Sequence, residues 1–140
     1  MVAYSRPMKP TVTVLHIDDD PDIRLLLREL AADARRVQQS DLGIRWLETG
    51  SVAEAVAEYA GVRLDMVLLD NYLGGPSGVE LLPSIFQIWK CPVWILTGSS
   101  DAVIHERSRE RGAAGVISKD KLLQGAEQLR AFLAGAQQPR

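Results

Sequence analysis

Four short apolar runs in this chain each end on a polar or charged residue. The run 12–17 gives way to three consecutive acids, Asp18, Asp19 and Asp20; 66–69 ends at Asp70; 93–96 ends at the hydroxyl of Thr97; and 113–118 delivers Lys119. Runs of this length suit buried strands better than helices. If the strands lie parallel in one sheet, their C-terminal ends share one edge, where open α/β folds place their sites. Acids, a hydroxyl and an ammonium group would then converge. A carboxylate cluster at the end of a buried strand is electrostatically unfavourable unless a cation neutralises it, so the acids point to a metal site.

Between the runs lie longer stretches with helical apolar spacing, the pattern of five βα units around a parallel sheet. The spacing predicts strands over 11–17, 44–47, 65–69, 93–96 and 116–118. Asp20 and Pro21 make a good helix start, and Ile23, Leu26, Leu27, Leu30, Ala31 and Ala34 form a wide apolar stripe behind them. After a polar connector over 36–43, Ser51 and Glu54 form a capping box for a second helix that stops near Gly61. A glycine-rich loop over 71–77 leads to a second capping box, Ser77 with Glu80. Pro83 falls inside the pattern that follows and predicts a kink or a late helix start. Two more helices are predicted over 101–111 and 121–133. The core domain is expected over 11–134, with a flexible lead-in over 1–10 and a tail over 135–140.

At 140 residues the chain fits one domain, so no separate output domain is expected. Sixteen basic against eighteen acidic residues give a net charge of −2, which suggests neither nucleic acid nor a membrane surface as a partner. No segment reaches the ~20 apolar residues of a membrane span, and the N-terminus has no apolar leader. The one cysteine, Cys91, reads as a small buried residue in a reducing compartment, so a cytoplasmic location is expected. His16, inside the first strand, reads as a satisfied core histidine and His105 as solvated; neither has a metal-ligand partner at useful spacing. Trp46, Trp89 and Trp94 read as core. Gly74, Gly75 and Gly78 read as turn residues with positive φ rather than a phosphate cradle, since the nearby acids would repel a nucleotide. Apolar residues outside one narrow stripe, Leu25 and Leu122 among them, would allow a homodimer.

The stretches LHIDDDPDIR, LDMVLLDNYLGGPSGVELL, VWILTGSS and GAAGVISKD, in this order, resemble the receiver domain of two-component response regulators over about 11–133. That resemblance implies a flavodoxin-like (βα)5 doubly wound five-stranded parallel sheet of order 2-1-3-4-5. It implies Asp70 as the phosphoacceptor, charged by a sensor histidine kinase or histidine phosphotransfer protein, and signalling through an unknown downstream protein. It also implies Mg²⁺, for which Mn²⁺ can substitute, held by Asp18, Asp19, Asp70 and the backbone carbonyl of Tyr72. By the same analogy Asp19 ligates directly and Asp18 largely through water. Asp20 adds a third candidate, though it is placed to cap a helix. Thr97 would hydrogen-bond the phosphoryl group, and Lys119 would pair with Asp70 and then with phosphoryl oxygens. The physics agrees, since a carboxylate attacks a phosphoryl group only when the repulsion between the two anions is relieved.

The chain departs from the family pattern in places. Val116 stands three residues before Lys119, where many receivers carry the aromatic that couples the site to the surface. Asp120 replaces a proline that is often cis, so a trans bond is expected there. Gly98 leaves the site open after Thr97, while Tyr72 is large enough to overhang the phosphoryl group. A competing reading is a small haloacid-dehalogenase-like phosphatase, whose first motif Asp18-x-Asp20 mimics; against it, the chain has little room for a cap. A third is a degenerate receiver acting as a phosphate-independent module, against which the intact set of acids, Thr97 and Lys119 argues.

Overall fold

The computed structural model describes residues 11–37, 43–98 and 102–123. In chain order it contains β1 (Thr11–Ile17), α1 (Pro21–Val37), β2 (Gly43–Thr49), α2 (Val52–Tyr59), β3 (Met66–Asp70), α3 (Gly78–Trp89), β4 (Val93–Thr97), α4 (Ala102–Glu110), β5 (Gly115–Ser118) and α5 (Lys119–Leu123). The strands form one sheet in the order β2-β1-β3-β4-β5, and every neighbouring pair is parallel. The expected doubly wound, flavodoxin-like order is therefore present. The chain runs outward from β1 to β2 and then reverses to β3 on the other side of β1. That reversal opens a crevice at the carboxyl ends of β1 and β3.

Strand alternation divides the core in two. On one face Val12 and Val14 of β1, Met66 and Leu68 of β3 and Leu96 of β4 pack with Leu27 and Ala31 of α1 and Leu122 of α5. On the other, Leu15, Ile17, Val67, Leu69, Val93 and Ile95 pack with Ala55 of α2 and Val79, Leu82 and Ile85 of α3. All five residues of β3 are buried, as a central strand covered on both sides requires. Cys91 and Trp89 join this core, while Trp46 and Trp94 are only partly buried.

Local chemistry explains most element starts. Asp20 caps α1 by accepting from the Asp22 amide at 2.9 Å, with Pro21 as the first helical residue. Ser51 caps α2, but Glu54 accepts from the amide of Gly50 rather than from that of Ser51, so this capping box is shifted by one residue. The Ser77–Glu80 box on α3 is complete. Secured by that box, α3 starts at Gly78 and runs through Pro83, so Pro83 does not delay its start. β2 extends beyond 44–47 because Glu48 and Thr49 stay in register with His16 and Ile17.

Three expectations need correcting. Leu26, placed in the buried stripe of α1, is 44% exposed, because the helix turns a narrower face to the sheet. Leu122, offered as a surface residue for a dimer, is 2% exposed and belongs to the core. α5 begins at Lys119, two residues before the predicted start, which makes the lysine the first residue of a helix. Asp101, residues 124–133 of the predicted last helix, part of the polar connector, and the lead-in and tail lie outside the described residues. No helix among the described residues is long and apolar enough to cross a membrane.

Composition did not reveal how α3 ends. Its C-cap, Lys90, adopts the left-handed conformation at φ 49 and ψ 41, where its amide bonds Phe86 O. A β-carbon in that region costs about 1–2 kcal/mol, and glycine carries no such penalty. Lys90→Gly is therefore expected to raise the free energy of unfolding by about 0.5–1 kcal/mol in urea titrations, the gain being reduced by the extra freedom of glycine in the unfolded chain. An unchanged or lower midpoint would contradict this account of the cap.

Candidate functional site

Strand parity decides which side chains meet at the carboxyl edge. Val12, Val14 and His16 of β1 point to the α1/α5 side, and two-residue alternation carries Asp18 to the same side. Met66 and Leu68 set the parity of β3, which places Asp70 there too, and Ile117 does the same for Lys119. Thr97, ending β4 next to Leu96, falls on the opposite parity and is 1% exposed. Lys119 Nζ lies 3.1 Å from Asp70 Oδ1 and 3.3 Å from Asp18 Oδ2. Both carboxylates are nearly inaccessible, at 3% exposed for Asp70 and 0% for Asp18. Asp19, by contrast, is exposed.

The backbone ties these groups down. The amide of Asp18 donates to Thr49 O and that of Asn71 to Leu96 O, locking the ends of β1 and β3 to their neighbours. Asp18 Oδ1 accepts from the amide of Asp20 at 3.0 Å. Arg24 reaches back from the first turn of α1 to donate from Nη1 to the main-chain oxygen of Asp18. Gly78, at the start of α3, comes so close to the loop that a Cβ there would lie 2.6 Å from Asp70 O. Of the three glycines expected in positive-φ turns, only Gly74 adopts one, with φ 79. Gly78 is needed for close approach instead, and at Gly75 a Cβ would meet nothing within 4 Å. Tyr72 is 74% exposed, and its amide donates to the Asp70 carboxylate.

The two buried acids respond in opposite directions. Burial alone would push the Asp18 carboxyl up, but contact with His16, the Asp20 amide and the Lys119 charge together pull it from 3.8 down to about 2. Asp70 is pushed up, by burial first and then by the negative charge of Asp18, against the opposing pull of Lys119. Burial tends to deprotonate Lys119, yet the charges of Asp18 and Asp70 outweigh it and hold the ammonium form. One lysine therefore does not neutralise the pair. Carboxylate oxygens of Asp18, Asp19 and Asp70 all lie within 4.8 Å of one another. Hard oxygen donors with an excess of negative charge fit Mg²⁺ or Mn²⁺.

His16 is not the satisfied core histidine that its place in the first strand predicts. It is fully buried, but neither ring nitrogen has a hydrogen-bond partner among the described residues. The roles of His16 and Arg24 at the site were also missed. The two-residue alternation that puts His16 on the Asp18 face was legible; the reach of Arg24 depends on the angle at which α1 leaves the loop.

The opposite shifts define a stability test. Asp18, held low, stabilises the fold above its ordinary 3.8, and that contribution disappears as pH falls from 3.8 to about 2. Asp70 has the reverse sign: ionised at neutral pH it costs stability, and protonation in acid relieves the cost. Without divalent cation at neutral pH, Asp70→Asn is expected to melt roughly 2–5 °C above wild type, with the gap closing in acid. Mg²⁺ should stabilise wild type more than the variant in calorimetry. A variant that melts lower at neutral pH would contradict this charge balance.

Comparison with known proteins agrees with this geometry. The model of the response regulator receiver domain matches residues 14–131. The two-component response regulator ARR3 of Arabidopsis thaliana is 28% identical over 128 residues, covering 87% of this chain and 55% of ARR3, so the chain spans about half the length of that relative. Among solved structures, the chemotaxis protein CheY4 of Vibrio cholerae superposes with a TM-score of 0.74 at 22% identity, covering 90% of this chain and 98% of that one. A LuxR-family response regulator from Aurantimonas sp. gives a TM-score of 0.65 at 26% identity, covering 89% and 86%. The solved structures add the fold, and the domain model adds the family: the chain belongs to the response regulator receiver domains of two-component systems.

Proposed function

We propose that Asp70 accepts a phosphoryl group from a phosphohistidine donor, a sensor histidine kinase or histidine phosphotransfer protein, and that the product signals by binding another protein. The observation that carries this reading is the Lys119 ammonium shared between Asp70 and Asp18 within a cluster of three carboxylates. Asp18, Asp19, Asp70 and the backbone carbonyl of Tyr72 would hold the divalent cation. When bound, the cation supplies the positive charge that lets an anionic nucleophile approach an anionic phosphoryl group.

An Asp70 carboxylate oxygen attacks phosphorus, forming a P–O bond while the P–N bond of the donor breaks. The electron pair leaves on the imidazole nitrogen, which takes a proton from solvent. Lys119 moves from the carboxylate pair onto a phosphoryl oxygen; Thr97, on the opposite parity at the end of β4, would donate to another from across the strand end. Asp70 suits the nucleophile's role better than Asp18 does. Asp18 is pulled down to about 2 and so is the weaker base, with Oδ1 bonded to the Asp20 amide and Oδ2 beside Lys119; Asp70 is pushed up. This favours the receiver chemistry over the phosphatase reading, which would use Asp18.

Val116 is partly buried against the α2/α3 core and has no ring to reorient. We assign the response instead to α4, drawn toward the ~1.5 to 2 negative charges that a phosphoryl group adds.

Acetyl phosphate with Mg²⁺ should label wild type to a single phosphoryl group per chain, and Asp70→Asn should abolish labelling while leaving the fold intact. Lys119→Met should reduce the labelling rate at least roughly ten-fold, consistent with loss of a charged transition-state partner. Label persisting in Asp70→Asn, or turnover of many equivalents of a phosphate ester per chain, would overturn the proposal.

A further inference from the structure

A fully buried imidazole lies beside the site. His16 is 0% exposed, and its Nε2 is 3.4 Å from Asp18 Oδ2, which is itself fully buried. That distance is beyond the usual 2.7–3.2 Å of an N–H···O bond. Neither ring nitrogen has a hydrogen-bond partner among the described residues, and Asp18 Oδ2 faces only the Lys119 ammonium group, 3.3 Å away, besides His16. Trp46 Nε1 and Glu48 Oε2 are two more buried polar atoms without a hydrogen-bond partner among the described residues. All of these belong to one patch. Glu48 is the register partner of His16 on β2, and the Trp46 and His16 rings have centroids 5.9 Å apart. Buried polar groups are almost always paired, so four unpaired atoms in one patch on the Asp18 side of the sheet ask for an explanation.

We infer that His16 is a positioning residue for the cation site: it carries its proton on Nε2 and donates it to Oδ2 of Asp18, fixing the carboxylate plane. The choice of tautomer follows from electrostatics. With the proton on Nδ1, the Nε2 lone pair would face a carboxylate oxygen 3.4 Å away, two acceptors opposed in a region without solvent. With the proton on Nε2, a donor faces Asp18 Oδ2, and the Nδ1 lone pair is left on the far side of the ring as an acceptor. Glu48 Oε1 already faces Arg28 Nη2 at 3.4 Å, so the patch does not depend on His16 to compensate Glu48.

Fixing Asp18 matters because its oxygens are shared. Oδ1 accepts from the Asp20 amide, and Oδ2 faces both His16 and Lys119. When phosphorylation draws Lys119 away, His16 is the group that keeps Oδ2 in place. Outer partners of this kind typically alter metal affinity 10–100-fold. The inference rests on the proposed cation role of Asp18, Asp19 and Asp70.

The test has two arms. Nitrogen-15 NMR of the imidazole in wild type, without any variant, should show the Nε2–H tautomer with a proton protected from exchange; an Nδ1–H tautomer would overturn the inference. In the second arm, Mg²⁺ affinity is read from tryptophan fluorescence. His16→Leu should bind roughly ten-fold more weakly. His16→Gln, whose amide nitrogen occupies the place of Nε2, should recover most of that loss, and His16→Asn, which mimics Nδ1, should not. Melting curves without Mg²⁺ separate this from a general loss of stability, since the ranking of affinities need not follow the ranking of melting temperatures. Equal affinity in His16→Leu and wild type, or Asn rescuing as well as Gln, would overturn the inference. Wild type that binds no Mg²⁺ would sink the cation reading and this inference with it, whereas normal binding with an Nδ1–H tautomer would sink the inference alone.

Discussion

The Nζ of Lys119 lies between two buried carboxylates, 3.1 Å from Asp70 and 3.3 Å from Asp18, and the rest of the site is arranged around that shared charge. At an effective dielectric near 20, two unit charges about 4 Å apart interact by about 4 kcal/mol. Repulsion between the acids is therefore comparable to the attraction of either for the lysine, and one ammonium group leaves the pair short of a positive charge. The shortfall appears as an Asp70 carboxyl pushed up while Asp18 is held down. A third acid, the exposed Asp19, has a carboxylate oxygen within 4.8 Å of both, which adds to the negative charge a cation could neutralise.

The sheet keeps this imbalance from relaxing. Asp18 and Asp70 end adjacent central strands whose amides are tied to Thr49 O and Leu96 O, and the close approach of Gly78 fixes the loop after β3. Side chains on the α1/α5 side alternate out of β1, β3 and β5 toward one point, so fold and site are set by the same two-residue period. Because the strands pack on both faces, with β3 buried at every residue, the acids cannot separate without disturbing the core.

Much of this was legible in the sequence. Apolar runs that stop at Asp18, Asp70, Thr97 and Lys119 marked the strands and the edge they share, and Ser77 with Glu80 marked the start of α3. Exact strand ends were not legible, because β2 is lengthened by pairing with β1, a tertiary effect that its own residues do not announce. The exposure of Leu26 depends on how α1 rolls against the sheet, and the left-handed Lys90 on how α3 must stop. His16 looked ordinary as a single residue; its significance depends on burial and on a 3.4 Å distance that no periodicity contains. Arg24, six residues past Asp18, becomes a site residue only through the geometry of the loop between β1 and α1.

The central question is whether this cluster accepts a phosphoryl-like group at Asp70 only when a divalent cation corrects its charge. Fluorine-19 NMR of beryllofluoride added to the protein measures this directly, since the bound trifluoride mimics a phosphoryl group without requiring turnover. The account predicts bound resonances for wild type in the presence of Mg²⁺, none without it, and none for Asp70→Asn under either condition. Bound resonances in Asp70→Asn, or full occupancy of wild type without divalent cation, would contradict it.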